Sequence, residues 1–426
     1  MRKIILHIDM NSYFASVEQQ ANPFLRGKAV GVCAYLSPNG CILASSMEAK
    51  AKGIKTGFRV KDALKLVPDL VLLENEPAKY RSTTEKIFSI LTEYTDTFEP
   101  YSIDEAFLDL TGWAKNYSEA EKVALEVKAR IKDEAGEWLK CSIGISSTKF
   151  LAKFAGDIAP KNGIQIIDKN NLESVLCGRP LRDAWGINYR MEVRLRVLGI
   201  NDLLELKNYD PIKIKRELGS YGYYLWANVN GLEISRVLRD EAPPKSIGHS
   251  YCIPKRTTDK KYLLKIIHKL CERTGRRLRS LGLEAQKINF YAGYIYDGGL
   301  HKLFTPGDRI FITEEIFNPI DDFILKADIL LPIRMLAVSV SRLSPISGQA
   351  NLFYDNLKPG KVSRAMDKLN DKYGEYTIVR GTMFNAEDLA RDRIGFRKTL
   401  GLNELDYKKL SNVFTNILVD TSERDS

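Results

Sequence analysis

The sequence predicts a multidomain α/β protein. Its 426 residues, 44% of them hydrophobic, suffice for two to four domains, each with its own core. In the first third of the chain, apolar runs alternate with amphipathic stretches. Strands are expected at 3–9, 103–110 and 141–145, and helices at 80–94 and 119–131. Further on, residues 244–345 carry 17 Lys/Arg against 10 Asp/Glu, which accounts for most of the net charge of +10. Pro243-Pro244 and Ser344-Pro345-Ile346-Ser347-Gly348 bound that segment as linkers would.

Composition excludes several classes. An ordinary apolar fraction without low-complexity blocks rules out disorder. The six cysteines (Cys33, Cys41, Cys141, Cys177, Cys252 and Cys271) form no CxxC pair and have no histidine at ligand spacing. A disulfide framework and a zinc site are therefore not expected, and a reducing, cytoplasmic setting is. The charge-free stretch 29–47 is broken by Ser37-Pro38-Asn39-Gly40, as a hairpin would be. Ile4-Ile5-Leu6 stops at His7 and Asp9, so neither a membrane span nor a signal peptide is expected. The basic balance points to a polyanionic partner or, almost equally, to a solvated basic surface. In the 244–345 module, Arg273, Arg276, Arg277 and Arg279 crowd one expected helix, while Val338, Val340 and Arg342 lie in an alternating strand. Such a module suits contact with phosphates.

The first strand, 3–9, ends on an acid, Asp9. Asn11 and Ser12 follow as good helix N-caps, and Tyr13 begins a helix. A strand-to-helix turn of this kind points backbone N–H groups and a positive helix end at whatever docks there, phosphate most naturally. The second acidic element is Asp104-Glu105, after Glu99-Pro100 and before Ala106-Phe107-Leu108. Neighbours within a regular strand face opposite sides, so the two acids can share a site only if they occupy the turn leading into it. With Asp9 alongside, three carboxylates would converge. Such a group needs cations to stay ionised, and two Mg²⁺ ions are the usual answer in phosphoryl and nucleotidyl transfer.

Several motifs in order carry a resemblance. Asp9-Met10-Asn11-Ser12-Tyr13-Phe14-Ala15-Ser16-Val17-Glu18 and Ser102-Ile103-Asp104-Glu105-Ala106-Phe107 resemble the Y-family translesion DNA polymerases. Gly40 to Gly53, with Ala49-Lys50-Ala51-Lys52, is most similar to the bacterial UmuC/DinB (polymerase V/polymerase IV-like) branch. Ser142-Ile143-Gly144-Ile145-Ser146, Phe150-Leu151-Ala152-Lys153 and Lys245-Ser246-Ile247-Gly248 follow in family order. The resemblance implies a right-hand polymerase. A ferredoxin-like palm would span 1–18 and 78–167, with small fingers at 19–77 and a helix-hairpin-helix thumb at 168–232. A linker at 233–243, an α/β little finger at 244–345, and a clamp-binding peptide with C-terminal extension at 346–426 would complete it.

It also implies roles. Asp9, Asp104 and Glu105, with the Met10 carbonyl, would hold two Mg²⁺ ions. Tyr13 and Phe14 amides, Lys50 and Lys153 would hold the deoxynucleoside triphosphate, with Phe14 the steric gate against a 2′-hydroxyl. Relatives carry phosphate-bonding Tyr and Thr in the 44–47 stretch, where this chain has Ala44 and Met47, neither a donor. Cys41 and Leu43 would roof the nascent base pair, and the larger Leu43 suggests easier passage of abasic sites than of linked bases. Gly186 and Asn188 of the thumb hairpin and Lys245, Ser246 and Arg342 of the little finger would contact primer–template DNA. Asn188 stands where the hairpin usually has a second glycine, and asparagine tolerates left-handed backbone. Gln349, Leu352 and Phe353 would bind a sliding clamp, with recombinase or accessory SOS subunits as further partners and no membrane. The implied activity is low-fidelity, template-directed DNA synthesis across damaged template. The alternatives are a catalytically silent, clamp-recruited scaffold of the same fold and, more distantly, a nucleotidyl cyclase.

Overall fold

A computed structural model describes residues 3–239, 243–346, 357–375, 377–384 and 389–390, and the chain separates into two compact units at residues 241–242. In the first unit, β1 (Ile5–Met10) leads into α1 (Tyr13–Ala21). Next come β2 (Val30–Cys33), β3 (Ile42–Ser45), α2 (Met47–Ala51), α3 (Val60–Leu66) and β4 (Val71–Glu74). These three strands make a small sheet in the order β3-β2-β4, and the Ser37–Gly40 turn joins an antiparallel pair as expected. Then α4 (Pro77–Leu91), β5 (Phe98–Pro100), β6 (Glu105–Asp109), α5 (Tyr117–Arg130), β7 (Cys141–Ser146), α6 (Lys149–Ile158) and β8 (Ile164–Ile166) complete a five-stranded sheet. Its order is β5-β6-β1-β7-β8, with β1 central and antiparallel to β6 and β7.

Strand alternation decides what each face of β1 does. Ile4, Leu6, Ile8 and Met10 join the apolar core that α4 and α5 cover. Ile5, His7 and Asp9 point the other way, toward α6. That helix lies unusually close: a Cβ on Gly144 of β7 would stand 2.0 Å from the Ala152 carbonyl oxygen and 2.2 Å from the Gly156 nitrogen. Only a glycine admits α6 at this distance.

Helices α7 (Leu172–Leu176), α8 (Tyr189–Val197), α9 (Leu203–Asn208) and α10 (Pro211–Val229) form a separate apolar cluster, α10 being interrupted at Gly219 by a φ of 70°. The stretch after α10 packs on the large sheet: Val237 is buried with Ile5, Phe107 and Ala152, and the Leu238 N–H donates to Glu99 at 2.9 Å. Glu99 is itself clamped by Lys149, at 2.6 Å to each oxygen. No helix among the described residues is long and apolar enough to cross a membrane.

The second unit contains β9 (Ser246–Thr257), α11 (Lys260–Ser280), β10 (Leu283–Glu284), β11 (Lys287–Tyr294), β12 (Gly299–Phe304), α12 (Thr313–Lys326), β13 (Ile333–Ser341), β14 (Ser344–Pro345) and α13 (Leu357–Tyr373). Four strands form an antiparallel sheet in the order β12-β11-β13-β9, and α11 and α12 bury one of its faces. The opposite face, with Ser246, Gly248 and Ser250 of β9 and Ala337, Ser339 and Ser341 of β13, presents small residues there, mostly serine, that are exposed or half-buried.

Here the arginine cluster departs from expectation. Arg279 is nearly buried and holds Asp367 with two bonds of 2.6 and 2.8 Å; Arg276 pairs with Asp371, and Arg273 with Glu375 at 3.0 Å. These acids recur every four residues along α13 and the turn beyond it, so one helical face meets the arginines. The charges of Arg273, Arg276 and Arg279 are thus answered within the chain instead of being free for phosphate.

Candidate active site

Register brings the three predicted acids together. Asp9 and Glu105 are direct cross-strand partners, and the Met10 N–H donates to the Asp104 carbonyl at 2.9 Å. Asp104 lies in the bend just before β6 and Glu105 is the strand's first residue, which lets adjacent acids face one cleft. One oxygen from each carboxylate lies within 4.8 Å of the others. A buried relay fixes the bend: the Tyr13 hydroxyl reaches the Tyr80 carbonyl (2.8 Å) and Thr84 Oγ1 (2.7 Å), and Thr84 donates to the Ile103 carbonyl at 2.6 Å.

The electrostatics follow from this crowding. Desolvation, together with the charges of Asp104 and Glu105, pushes Asp9 well above the usual carboxylate range. Desolvation also lifts Asp104 to about 6, with Glu105 adding to the rise and the Ser102 hydroxyl's hydrogen bond opposing it. For Glu105 desolvation again acts upward, but the His7 hydrogen bond and the Lys153 ammonium outweigh it and hold it at about 2. A cleft that resists carrying three negative charges, and offers only oxygen donors, fits hard divalent cations. Metal binding there would restore the ionised state.

The other predicted residues sort as follows. Phe14, in the first turn of α1, is stacked on Tyr80 with ring centroids 4.4 Å apart. Tyr13 is buried by its relay, so only its backbone is left to face a ligand. Lys50 on α2 is exposed and within electrostatic reach of Asp9, Asp104 and Lys161. Lys153 on α6 does not stand free at the cleft rim: it donates to Glu105 Oε2 at 2.8 Å and lies 3.5 Å from Asp157. Leu43 is almost fully covered, in the apolar cluster that includes Phe14, while Cys41 bridges to Arg59 and is half-buried.

Two expectations are revised by local geometry. Ser12 makes no cap; its φ is 53° and its hydroxyl donates to the Met47 sulfur at 3.6 Å. Asn188 is extended, not left-handed, and its side chain accepts from Met191 N–H as the N-cap of α8. The left-handed residue of that turn is Gly186, with φ 96°, whose carbonyl accepts from the Tyr221 hydroxyl at 2.7 Å. In the second unit, Ser246 pairs with Ser341, so Lys245, Ser246 and Arg342 share one end of adjoining strands. Gln349, Leu352 and Phe353 lie outside the described residues.

Sequence reasoning missed four neighbours of the cleft. Tyr80 backs Phe14, Asp157 flanks Lys153, and Lys161 approaches Lys50. Asn11 helps hold the loop that carries Lys161, since its side chain bonds Ser142 Oγ (3.0 Å) and the Asn162 N–H (2.8 Å). The fourth is His7, fully buried, with Nε2 at 3.2 Å from Glu105 Oε2. Burial holds its imidazole below the usual value, and so neutral. The period-two rule could have found it, because residues 7 and 9 of one strand share a face.

Comparison with known proteins gives a consistent picture. Residues 8–157 match the impB/mucB/samB family and residues 244–352 match that family's C-terminal domain. DNA polymerase IV 1 of Bacillus subtilis (strain 168) is 32% identical over 403 residues, covering 93% of this chain and 97% of the relative. DNA polymerase IV of Pelotomaculum thermopropionicum is 30% identical over 402 residues, covering 93% and 100%. Among solved structures, a Y-family DNA polymerase chimera, Dbh-Dpo4(243-245)-Dbh, superposes with a TM-score of 0.71 at 23% identity. It covers 80% of this chain and 100% of that one, which establishes the shared fold.

Proposed function

The chain belongs to the impB/mucB/samB family of Y-family translesion polymerases and is a DNA-directed DNA polymerase of the polymerase IV type; from that premise we propose that its nucleotidyl transfer runs at Asp9, Asp104 and Glu105. It binds DNA and deoxynucleoside triphosphates, as that activity requires. The observation that carries the assignment is the convergence of three carboxylates from two paired strands.

These carboxylates and the Met10 carbonyl would hold two divalent cations, Mg²⁺ by the hardness of the donors. Cations held there would supply Lewis acidity, lowering the pKa of the primer 3′-hydroxyl and offsetting charge on the departing pyrophosphate. The chain's own residues do the rest. Lys50 and Lys153, joined by Lys161, provide positive charge for the triphosphate, and the free N–H groups at the start of α1 add donors. Phe14, braced by Tyr80, would lie under the sugar and exclude a ribose 2′-hydroxyl, while Cys41 and Leu43 cover the base pair. Phe14→Ala is expected to raise ribonucleotide incorporation relative to deoxynucleotide about 10-fold or more in single-nucleotide primer extension. An unchanged ratio removes the gate assignment.

We assign the 1–18 and 78–167 elements to the palm, 19–77 to the fingers, the α7–α10 cluster within 168–232 to the thumb and residues 244–345 of the second unit to the little finger. Gly186 and Asn188 of the thumb would meet primer–template through the α8 turn. Duplex contact in the little finger falls to the open sheet face, with Lys245, Ser246 and Arg342 at its end, because α11 is covered by α13. Small side chains there allow close approach of a phosphate backbone. Gln349, Leu352 and Phe353 are proposed as a sliding-clamp peptide on a cytoplasmic polymerase. Deleting 349–353 should abolish clamp-stimulated synthesis and leave unaided synthesis within about twofold; equal stimulation of both proteins refutes it.

A further inference from the structure

We propose that His7 is a positioning residue that keeps Glu105 in its metal-facing orientation when Lys153 leaves to meet the triphosphate. This rests on the metal-site reading above. One oxygen of Glu105, Oε2, accepts from two donors: His7 Nε2 at 3.2 Å and Lys153 Nζ at 2.8 Å. The two donors differ in freedom. Lys153 sits on a flexible four-carbon stem at the cleft, partly exposed, with a second carboxylate, Asp157, at 3.5 Å. His7 is fully buried; its ring lies 4.7 Å from that of Phe107 and is hemmed in by α6, where a Cβ on Gly156 would come within 2.8 Å of Nδ1. The lysine can swing away and the imidazole cannot.

The second ring nitrogen sharpens the role. His7 Nδ1 is buried without a hydrogen-bond partner, so the ring is not a relay between two groups. With Nδ1 unprotonated, Nε2–H is the donor, and its one bond goes to Glu105. An unpaired buried nitrogen carries a desolvation cost that a phenylalanine here would avoid, so packing alone does not account for a histidine. Both donors sit on Oε2, so neither draws on the carboxylate's other oxygen, Oε1. Once Lys153 turns to the triphosphate, Asp9 and Asp104 within 4.8 Å would repel Glu105, and the His7 bond is what remains to hold it.

The test uses the full-length protein and the variants His7→Phe, which retains a ring against Phe107, and His7→Gln, whose amide can still donate. Mn²⁺ binding without DNA or nucleotide, read as free Mn²⁺ by electron paramagnetic resonance, should weaken about 3- to 10-fold in His7→Phe. In primer extension its kcat should fall about 10-fold, with the nucleotide KM within twofold and the half-activating Mg²⁺ concentration raised several-fold. His7→Gln should recover most of each loss. Mn²⁺ affinity and Mg²⁺ dependence equal to wild type in His7→Phe overturn the inference alone. So does a loss that His7→Gln restores in melting temperature but not in metal affinity. Absence of Mn²⁺ binding by the wild-type protein overturns the metal reading, and the inference with it.

Discussion

Asp104→Asn should abolish nucleotide addition and at the same time make the metal-free protein more stable at pH 8. Loss of one acidic donor should lower kcat by about 10³-fold or more, equivalent to about 4 kcal/mol of transition-state stabilisation. The stability gain has a separate origin. Asp104 has its carboxyl raised from the ordinary 3.8 to about 6 in the fold, chiefly by desolvation. A carboxyl raised on folding stabilises the native state while it is protonated, below its ordinary value, and that contribution is lost as pH rises through about 6. At pH 8 the ionised, metal-free triad is therefore a strain on the fold, on the order of 1–3 kcal/mol for this group. An asparagine of the same shape removes it. Thermal melts in chelator should show the variant above wild type at pH 8, with the difference shrinking toward pH 5. Mg²⁺ should raise the wild-type melting temperature and move the variant's far less. A variant no more stable than wild type at pH 8 would contradict this account of the cleft.

Gly144→Ala should damage the whole first unit. Its new methyl group would fall 2.0 Å from the Ala152 carbonyl oxygen, and that obstacle is helix backbone, which cannot rotate aside. Helix α6 would have to lift from the sheet, taking Lys153 and the packing against His7 with it. The expected cost is about 3 kcal/mol or more, seen as a fall in melting temperature of about 10 °C with loss of polymerase activity. Gly307→Ala in the second unit is the control, since a Cβ there meets nothing within 4 Å. A Gly144→Ala protein melting within 2 °C of wild type would mean that α6 does not lie as close as described.

Much of the five-stranded sheet and its acidic edge was legible because local rules decide it. The strand ending at Asp9, the helix from Tyr13 and the turn before Glu105 each follow from patterns within about ten residues, and the motifs that carry chemistry sit at those edges. The misreadings came where a side chain took a hydrogen-bond partner that composition and spacing do not name. The hairpin that the resemblance implies asks Asn188 to tolerate a left-handed backbone; instead its side chain accepts from the Met191 N–H and, as an N-cap, its backbone is extended. Ser12 had the composition of a cap but takes a left-handed backbone and turns to Met47, 35 residues away.

Charge shows the division most clearly. The amino-acid sequence by itself determined that residues 244–345 are strongly basic and that three acids flank two strands. It could not say which charges are spent inside the protein. Asp367, Asp371 and Glu375 lie beyond the basic segment in sequence, and only folding lays them over Arg279, Arg276 and Arg273, which is why the open sheet face is the surface we propose for DNA. The same holds for the cleft. The strand pattern supplied Asp9 and Glu105, but antiparallel register set them opposite each other and brought His7 and Lys153 to the same oxygen. Sequence specifies which groups can be charged; which stay charged, and toward what, is decided by desolvation and by the nearest opposite charge, and both are properties of the packed chain.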